Sequence, residues 1–176
     1  MNWRMNSLAK DSLHLPDPFL TNKCHYTNLY SRFKQLAKSK AIEIIRSKSL
    51  VKGVRYFNKI KNPLSPPWFL RSKEEITSPV ITLISRLRSH HVAVNAHLWK
   101  KNIVASSECQ CGSQRQDINH IFFHCPEYYE LSNILITSLY KINSMVTLDV
   151  VDIVFSNCFK AYKALYAFIK QANIYI

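Results

Sequence analysis

The chain predicts a small, mainly α-helical bundle, and three features of the sequence predict it. Apolar residues recur at helical spacing in several separate segments. Only two glycines, Gly53 and Gly112, occur in 176 residues, and three of the five cysteines crowd into Cys109–Cys125 beside two histidines. Hydrophobic residues make up 47% of the chain, enough for a core, so wholesale disorder is not expected. A P-loop, a Rossmann crevice or a hairpin-rich sandwich each needs more glycine at defined turns than this chain holds.

Residues 1–26 read as irregular, because Leu15-Pro-Asp-Pro18 excludes a helix. A basic amphipathic helix is expected over 27–53, capped by Thr27 or Asn28. Phe33, Leu36, Ala37, Ala41, Ile44 and Ile45 form its apolar stripe, and Arg32, Lys34, Lys38, Lys40, Arg46, Lys48 and Lys52 fill much of the rest. Gly53 suits a left-handed residue after its last turn. Residues 54–75 form a proline-marked linker, expected to be extended, with Trp68 and Phe69 docking it onto the next domain.

A helical module is expected over 76–142. Ser78-Pro79 has N-cap and first-turn chemistry, and Val80, Leu83, Ile84 and Leu87 come after it at helical spacing. A second short helix includes Val94, His97 and Leu98. After the cysteine segment, Pro126 opens a further helix with Leu131, Ile134, Leu135 and Leu139 on its inner face. A C-terminal helical extension occupies 143–176. Within it Leu148–Phe155 suits helix and strand equally, and Phe159, Tyr162, Tyr166 and Ile169 mark a last amphipathic helix.

The net charge is +13, and its distribution is uneven. Residues 1–101 carry 19 Lys or Arg against 5 Asp or Glu, whereas 102–176 carry 5 against 6. Such asymmetry points to a polyanionic partner. No apolar run approaches the roughly 18–20 residues of a membrane span, and Met1–Asp11 lacks the apolar stretch of a secretion signal. A cytoplasmic or nuclear protein is expected, where thiols stay reduced and clustered cysteines bind metal more often than they pair.

The cluster reads Cys109-Gln-Cys111-Gly112, then His120 and Cys125. Thiolate with imidazole in a set of four is a usual structural zinc site, and its closed shell leaves no position for a reacting water. Cys109, Cys111, His120 and Cys125 are therefore the expected ligands of one Zn²⁺. Gly112 would let the backbone fold back, Asp117 would cap a short helix presenting His120, and Pro126 would end it. Two alternatives stay open: His124 in place of Cys125, since it lies one turn after His120, or three buried cysteines without metal. Cys24 and Cys158 stand alone. Zinc binding supplies on the order of 10 kcal/mol to the folding of such short segments.

Several of these residues resemble a known unit. Ile84-Ser-Arg-Leu-Arg-Ser-His-His91, Asn95-Ala-His-Leu98, the Cys-x-Cys-Gly…His-x4-Cys-Pro run and the upstream Pro67-Trp-Phe69 are similar to a zinc-binding region. It is the region following the RNase H domain in reverse transcriptases of jockey-like non-LTR retrotransposons. The likeness covers roughly residues 1–130 and is strongest over 80–126. Ser7-Leu-Ala-Lys-Asp11 and Leu15-Pro-Asp-Pro18 resemble the end of that RNase H domain. Asn6 stands where the family has a metal-binding Asp, and an amide cannot supply that charge. The resemblance places the other catalytic carboxylates upstream of Met1 and implies a chain without polymerase or RNase H activity. His90 stands where the family commonly has Gly, which costs stability if that residue has positive φ.

The function expected is therefore non-catalytic, with no catalytic residue assigned: weak RNA or DNA binding of low sequence preference beside a zinc site. Arg86, Arg88, His91, Lys100 and Lys101 are the candidate phosphate contacts, and Trp99 and Tyr128 candidate stacking surfaces. The rival reading is a structural module that docks other reverse transcriptase domains, or a relic of a mobile element. An enzyme built from His90, His91, His97 and Cys109 is disfavoured, because no nucleophile, base and orienting group stand at a recognisable spacing.

Overall fold

The computed structural model describes residues 26–60, 62–71 and 76–175. The irregular N-terminal segment, including Asn6 and Cys24, lies outside the described residues. The chain divides into two compact units, 1–51 and 52–176. The expected linker (54–75), module (76–142) and extension (143–176) all fall within the second unit.

In the first unit, helix α1 spans Tyr26–Ser49, and none of its residues is buried. Its apolar stripe stays in solvent, with Phe33 and Leu36 each 56% exposed. The helix stops before Gly53. That glycine does adopt positive φ (+72°), but as the N-cap of a second helix, α2 (Val54–Lys59), within the stretch expected to be extended. Trp68–Arg71 adds a 3₁₀ turn.

The core of the second unit is built by α3 (Ser78–Ser89), α5 (Tyr129–Ile142), α6 (Val150–Phe155) and α7 (Phe159–Ala172), with the short α4 (Asn95–Trp99) after α3. Helix α5 lies along α7, and α3 packs on α6 and α7. Val80, Leu83, Ile84 and Leu87 are all buried as their spacing predicts. On α5 the buried positions are Ser132, Leu135 and Leu139, whereas Ile134 is 58% exposed and not part of the inner face. The Leu148–Phe155 stretch resolves as helix because the Asp149 carboxylate accepts from the Val151 and Asp152 amides. Among the described residues there is no strand, and no helix is long and apolar enough to cross a membrane.

Arg88 ties these helices together. It is 5% exposed, and among the described residues no carboxylate pairs with it. Its Nε donates to the Val154 carbonyl (2.7 Å), and Nη2 donates to the Tyr162 hydroxyl oxygen (2.9 Å) and Asn157 Oδ1 (3.2 Å). The Tyr162 hydroxyl in turn donates to the Val154 carbonyl (2.8 Å). The guanidinium carbon lies 4.6 Å from the centre of the Trp68 ring and 5.1 Å from that of Phe155. Trp68 also meets Tyr162 edge-on at 5.4 Å, so it docks its segment onto the core as expected. Arg88 itself is not available to phosphate, and its place among the candidate contacts is corrected: the fold uses this cation internally.

Helix α3 ends on His90, which adopts φ +55° and is followed by the His91 N–H bonding back to the Arg86 carbonyl (2.9 Å). Asn102, Asn157 and Asn173 hold the other described positive-φ positions outside glycine. With so few glycines available, residues tolerant of this region occupy it.

Equilibrium urea unfolding should give two outcomes. Arg88→Ala lowers stability by about 3–5 kcal/mol, because it opens a cavity and strands the acceptors that converge on the guanidinium; a change under about 1 kcal/mol would remove Arg88 as the organiser of the core. His90→Gly raises stability by about 1 kcal/mol through relief of left-handed backbone strain, with the denaturant slope unchanged.

Candidate metal centre

The loop before the cluster is closed by its own backbone. The Cys109 N–H donates to the Ser113 carbonyl (2.8 Å), the Gly112 N–H to the Cys109 carbonyl (3.0 Å), and the Gln116 N–H to the Ser107 carbonyl (2.7 Å). Gly112 sits at φ +88°, and a Cβ there would meet nothing within 4 Å. The torsion, not crowding, is what requires glycine at this turn.

Asp117 then starts a helical turn. Its carboxylate accepts from the His120 N–H (3.0 Å) and its carbonyl from the Ile121 N–H (3.1 Å), the capping role expected of it. The turn widens into a π-turn over His120–His124. In an α-helix, residues five apart point roughly 140° away from each other. The wider i→i+5 turn reduces that offset, and with Cys125 leaving it in extended backbone (φ −78°, ψ 121°) the His120 and Cys125 side chains both reach the cluster. Between them Ile121, Phe122 and Phe123 are buried in the core, with Phe122 at 4.9 Å from the Phe168 ring.

The ligand atoms of Cys109, Cys111, His120 and Cys125 all lie within 4.8 Å of one another. The sulfurs of Cys109 and Cys125 are 3.8 Å apart, and Cys111 Sγ is 3.3 Å from His120 Nε2. These four side chains could hold one metal ion, and among the described residues no other such group occurs. All three cysteines are free thiols. Cys125 is 2% exposed, whereas His124 faces solvent and lies outside the group, so the geometry presents the cysteine and not its neighbour.

The thiols are electrostatically unequal. Burial would raise Cys109, but hydrogen bonds from the Cys111 backbone and side chain, Gln116 and His120 outweigh it and hold the thiol down at about 6. Burial pushes Cys125 up to about 12, reinforced by the neighbouring Cys109 and Cys111 sulfurs. Within this coupled set Cys109 is thus held toward the thiolate and Cys125 toward the thiol.

Two supporting residues carry no signal that sequence reasoning could have used. Gln116 donates through Nε2 to Cys109 Sγ (3.6 Å), while its Oε1 accepts from the Asn95 N–H (3.0 Å) and its carbonyl from the Ala96 N–H (3.0 Å). One side chain therefore touches a ligand and caps α4. Asn119 accepts from the Val150 N–H (2.9 Å) and donates to Asp149 (3.3 Å), fixing the His120 turn to the start of α6.

Of the candidate phosphate contacts, Arg86, His91, Lys100 and Lys101 are exposed, the last two just after α4. The His91 and His97 rings lie 6.2 Å apart. Trp99 is 50% exposed, and Tyr128 is half-buried with its ring 6.1 Å from that of Phe168. No family model, curated protein or solved structure matches the chain.

Metal affinity falls as pH falls, because protons compete for the sulfurs. Below about pH 6 Cys109 must also lose a proton for each ion bound. The dependence of log Kd on pH is therefore steeper below about pH 6 than above it, which competition with a chromophoric chelator across pH 5–8 would register.

Proposed function

We propose that the chain is a non-catalytic zinc-binding module that associates with RNA or DNA through a basic surface, with little sequence preference. The observation that carries the reading is the spacing within the cluster. A tetrahedral zinc with bonds of about 2.3 Å to sulfur and 2.0 Å to nitrogen separates two sulfurs by roughly 3.8 Å and a sulfur from a nitrogen by roughly 3.5 Å. Two of the six separations come close to these values, at 3.8 and 3.3 Å, and all six lie within 4.8 Å. Four protein ligands fill the shell, which suits a structural ion that fixes the loop rather than one that activates water.

The polyanion half of the proposal rests on charge. The basic excess lies upstream of the cluster, and Gln116 links the cluster to α4, whose C-terminal end carries the exposed Lys100 and Lys101. Together with His91 and Arg86 they offer phosphate contacts without a base-reading element, and the exposed Trp99 offers a stacking face. The resemblance to the region after the RNase H domain of jockey-like retrotransposon reverse transcriptases supports the same reading. One observation favours a second role in protein docking: the stripe on α1 carries Phe33, Leu36 and Ile44 in solvent, as a surface for another domain would.

Elemental analysis of the purified chain should give one zinc per molecule, lost in Cys109→Ser and Cys125→Ser and kept in His124→Ala. Folded protein without stoichiometric zinc would sink the metal assignment. In anisotropy titrations with a short oligonucleotide, affinity weakens steeply with salt, and Lys100→Gln with Lys101→Gln lowers the slope of log K by about 0.7–0.9 for each charge removed. Salt-independent association would favour the docking role.

A further inference from the structure

A second, smaller feature of the same unit shares only Asp117 with the candidate metal centre. Arg55 on α2, His90 at the end of α3, His97 and Lys100 on and after α4, and Arg115 and Asp117 before the π-turn together line a pocket of about 70 Å³. Val92 and Val94, both buried, give it an apolar floor. Three full cations and two imidazoles thus face one carboxylate, and that carboxylate is already engaged: Asp117 lies 3.4 Å from Arg115 and accepts from the His120 N–H. These five groups come from four separate stretches of chain, so local sequence does not bring them together. A low-dielectric floor under converging positive charge strengthens attraction for an anion.

We propose that this pocket is a subsite for one tetrahedral oxyanion, occupied by a backbone phosphate of the bound nucleic acid. The identification of the phosphate's carrier rests on the nucleic-acid reading; the pocket's preference for an oxyanion does not. Its volume of about 70 Å³ suits a phosphate group in size. Arg115 supplies a forked guanidinium matched to two phosphate oxygens, and Lys100 a point charge. The imidazoles are disfavoured as cations first by burial and only then by their charged neighbours. Burial and then Arg55 and His97 hold His90 below its ordinary range, and burial and then Lys101, His91 and Lys100 do the same to His97. An anion seated among them would relieve that repulsion. The site differs from the surface contacts named above in its residues, since Arg55, His90, His97 and Arg115 are not among them.

The test uses the full chain in its zinc-loaded form, with inorganic phosphate and a short single-stranded oligonucleotide as separate probes. Phosphate should shift the His90 and His97 side-chain NMR signals saturably. Arg115→Gln and His97→Gln should each weaken phosphate at least tenfold, Arg115→Lys should restore part of the loss, and Lys170→Gln, an equal charge change on α7, should leave it unaltered. For the oligonucleotide, Arg115→Gln should lower the salt slope by about 0.7–0.9 while zinc content and melting stay those of the parent chain. A non-saturable phosphate response, or oligonucleotide affinity and slope unchanged in both pocket variants, overturns the pocket. Saturable phosphate binding with no oligonucleotide binding overturns the nucleic-acid reading and leaves a site for a free oxyanion.

Discussion

A guanidinium without a carboxylate, sealed inside the second unit, is the constraint on which the rest of the packing depends. Desolvating a cation is costly unless every nearby acceptor is aimed at it. Here the acceptors are the Val154 carbonyl, the Asn157 amide oxygen and the Tyr162 hydroxyl, and the faces of Trp68 and Phe155 supply the remaining negative potential. The partners are spread over several elements: Trp68 on the 3₁₀ turn, Phe155 and Val154 on α6, Asn157 in the α6–α7 turn, Tyr162 on α7. A nonpolar residue at the same place would accept many packings. A planar, directional cation accepts few, and that selects one arrangement of α3 against α6 and α7.

The metal centre is anchored to that arrangement by the segment that contributes its last two ligands. Ile121, Phe122 and Phe123 enter the core between His120 and Cys125, and Asn119 bonds to the start of α6. The first two ligands come from a loop with few large apolar residues, closed only by its own hydrogen bonds and by Gln116. One half of the ligand set is therefore positioned by hydrophobic burial and the other half by backbone turns that the ion itself would complete. That division explains how a loop so poor in apolar residues can hold two sulfurs within 4.8 Å of the donor atoms on the turn.

Most of the helices and the ligand cluster were legible in the sequence, because both rest on local spacing. Helix α3 is set by Pro79 and the Val80–Leu87 stripe, α7 by Tyr162 and Ile169, and the cluster by cysteine and histidine intervals. What failed was non-local. Arg88 looks like a solvated helix residue until its partners, 66 to 74 positions away, are brought to it. Ile134 looks like core and Ser132 like surface, but the rotation of α5 is set by its contact with α7, not by its own stripe. The prolines of the linker mask α2, whose Lys59 reaches Asp152 on α6 at 2.9 Å. Gln116 and Asn119 are single amides whose importance lies in what they touch.

The π-turn also sets an asymmetry in how the cluster tolerates length change. From Gly112 to Arg115 the chain is mostly exposed loop, where an added or deleted residue disturbs the loop's own closing bonds, such as that from the Cys109 N–H to the Ser113 carbonyl, but no core packing. Between His120 and Cys125 no such freedom exists. Removing one residue would convert the widened turn to an ordinary helical one, in which His and Cys four apart still share a face, but it would carry the core-facing Ile121–Phe123 run out of phase with its neighbours by about 100°. A length change between Cys111 and His120 thus costs the loop its turn, whereas one between His120 and Cys125 costs the core its packing.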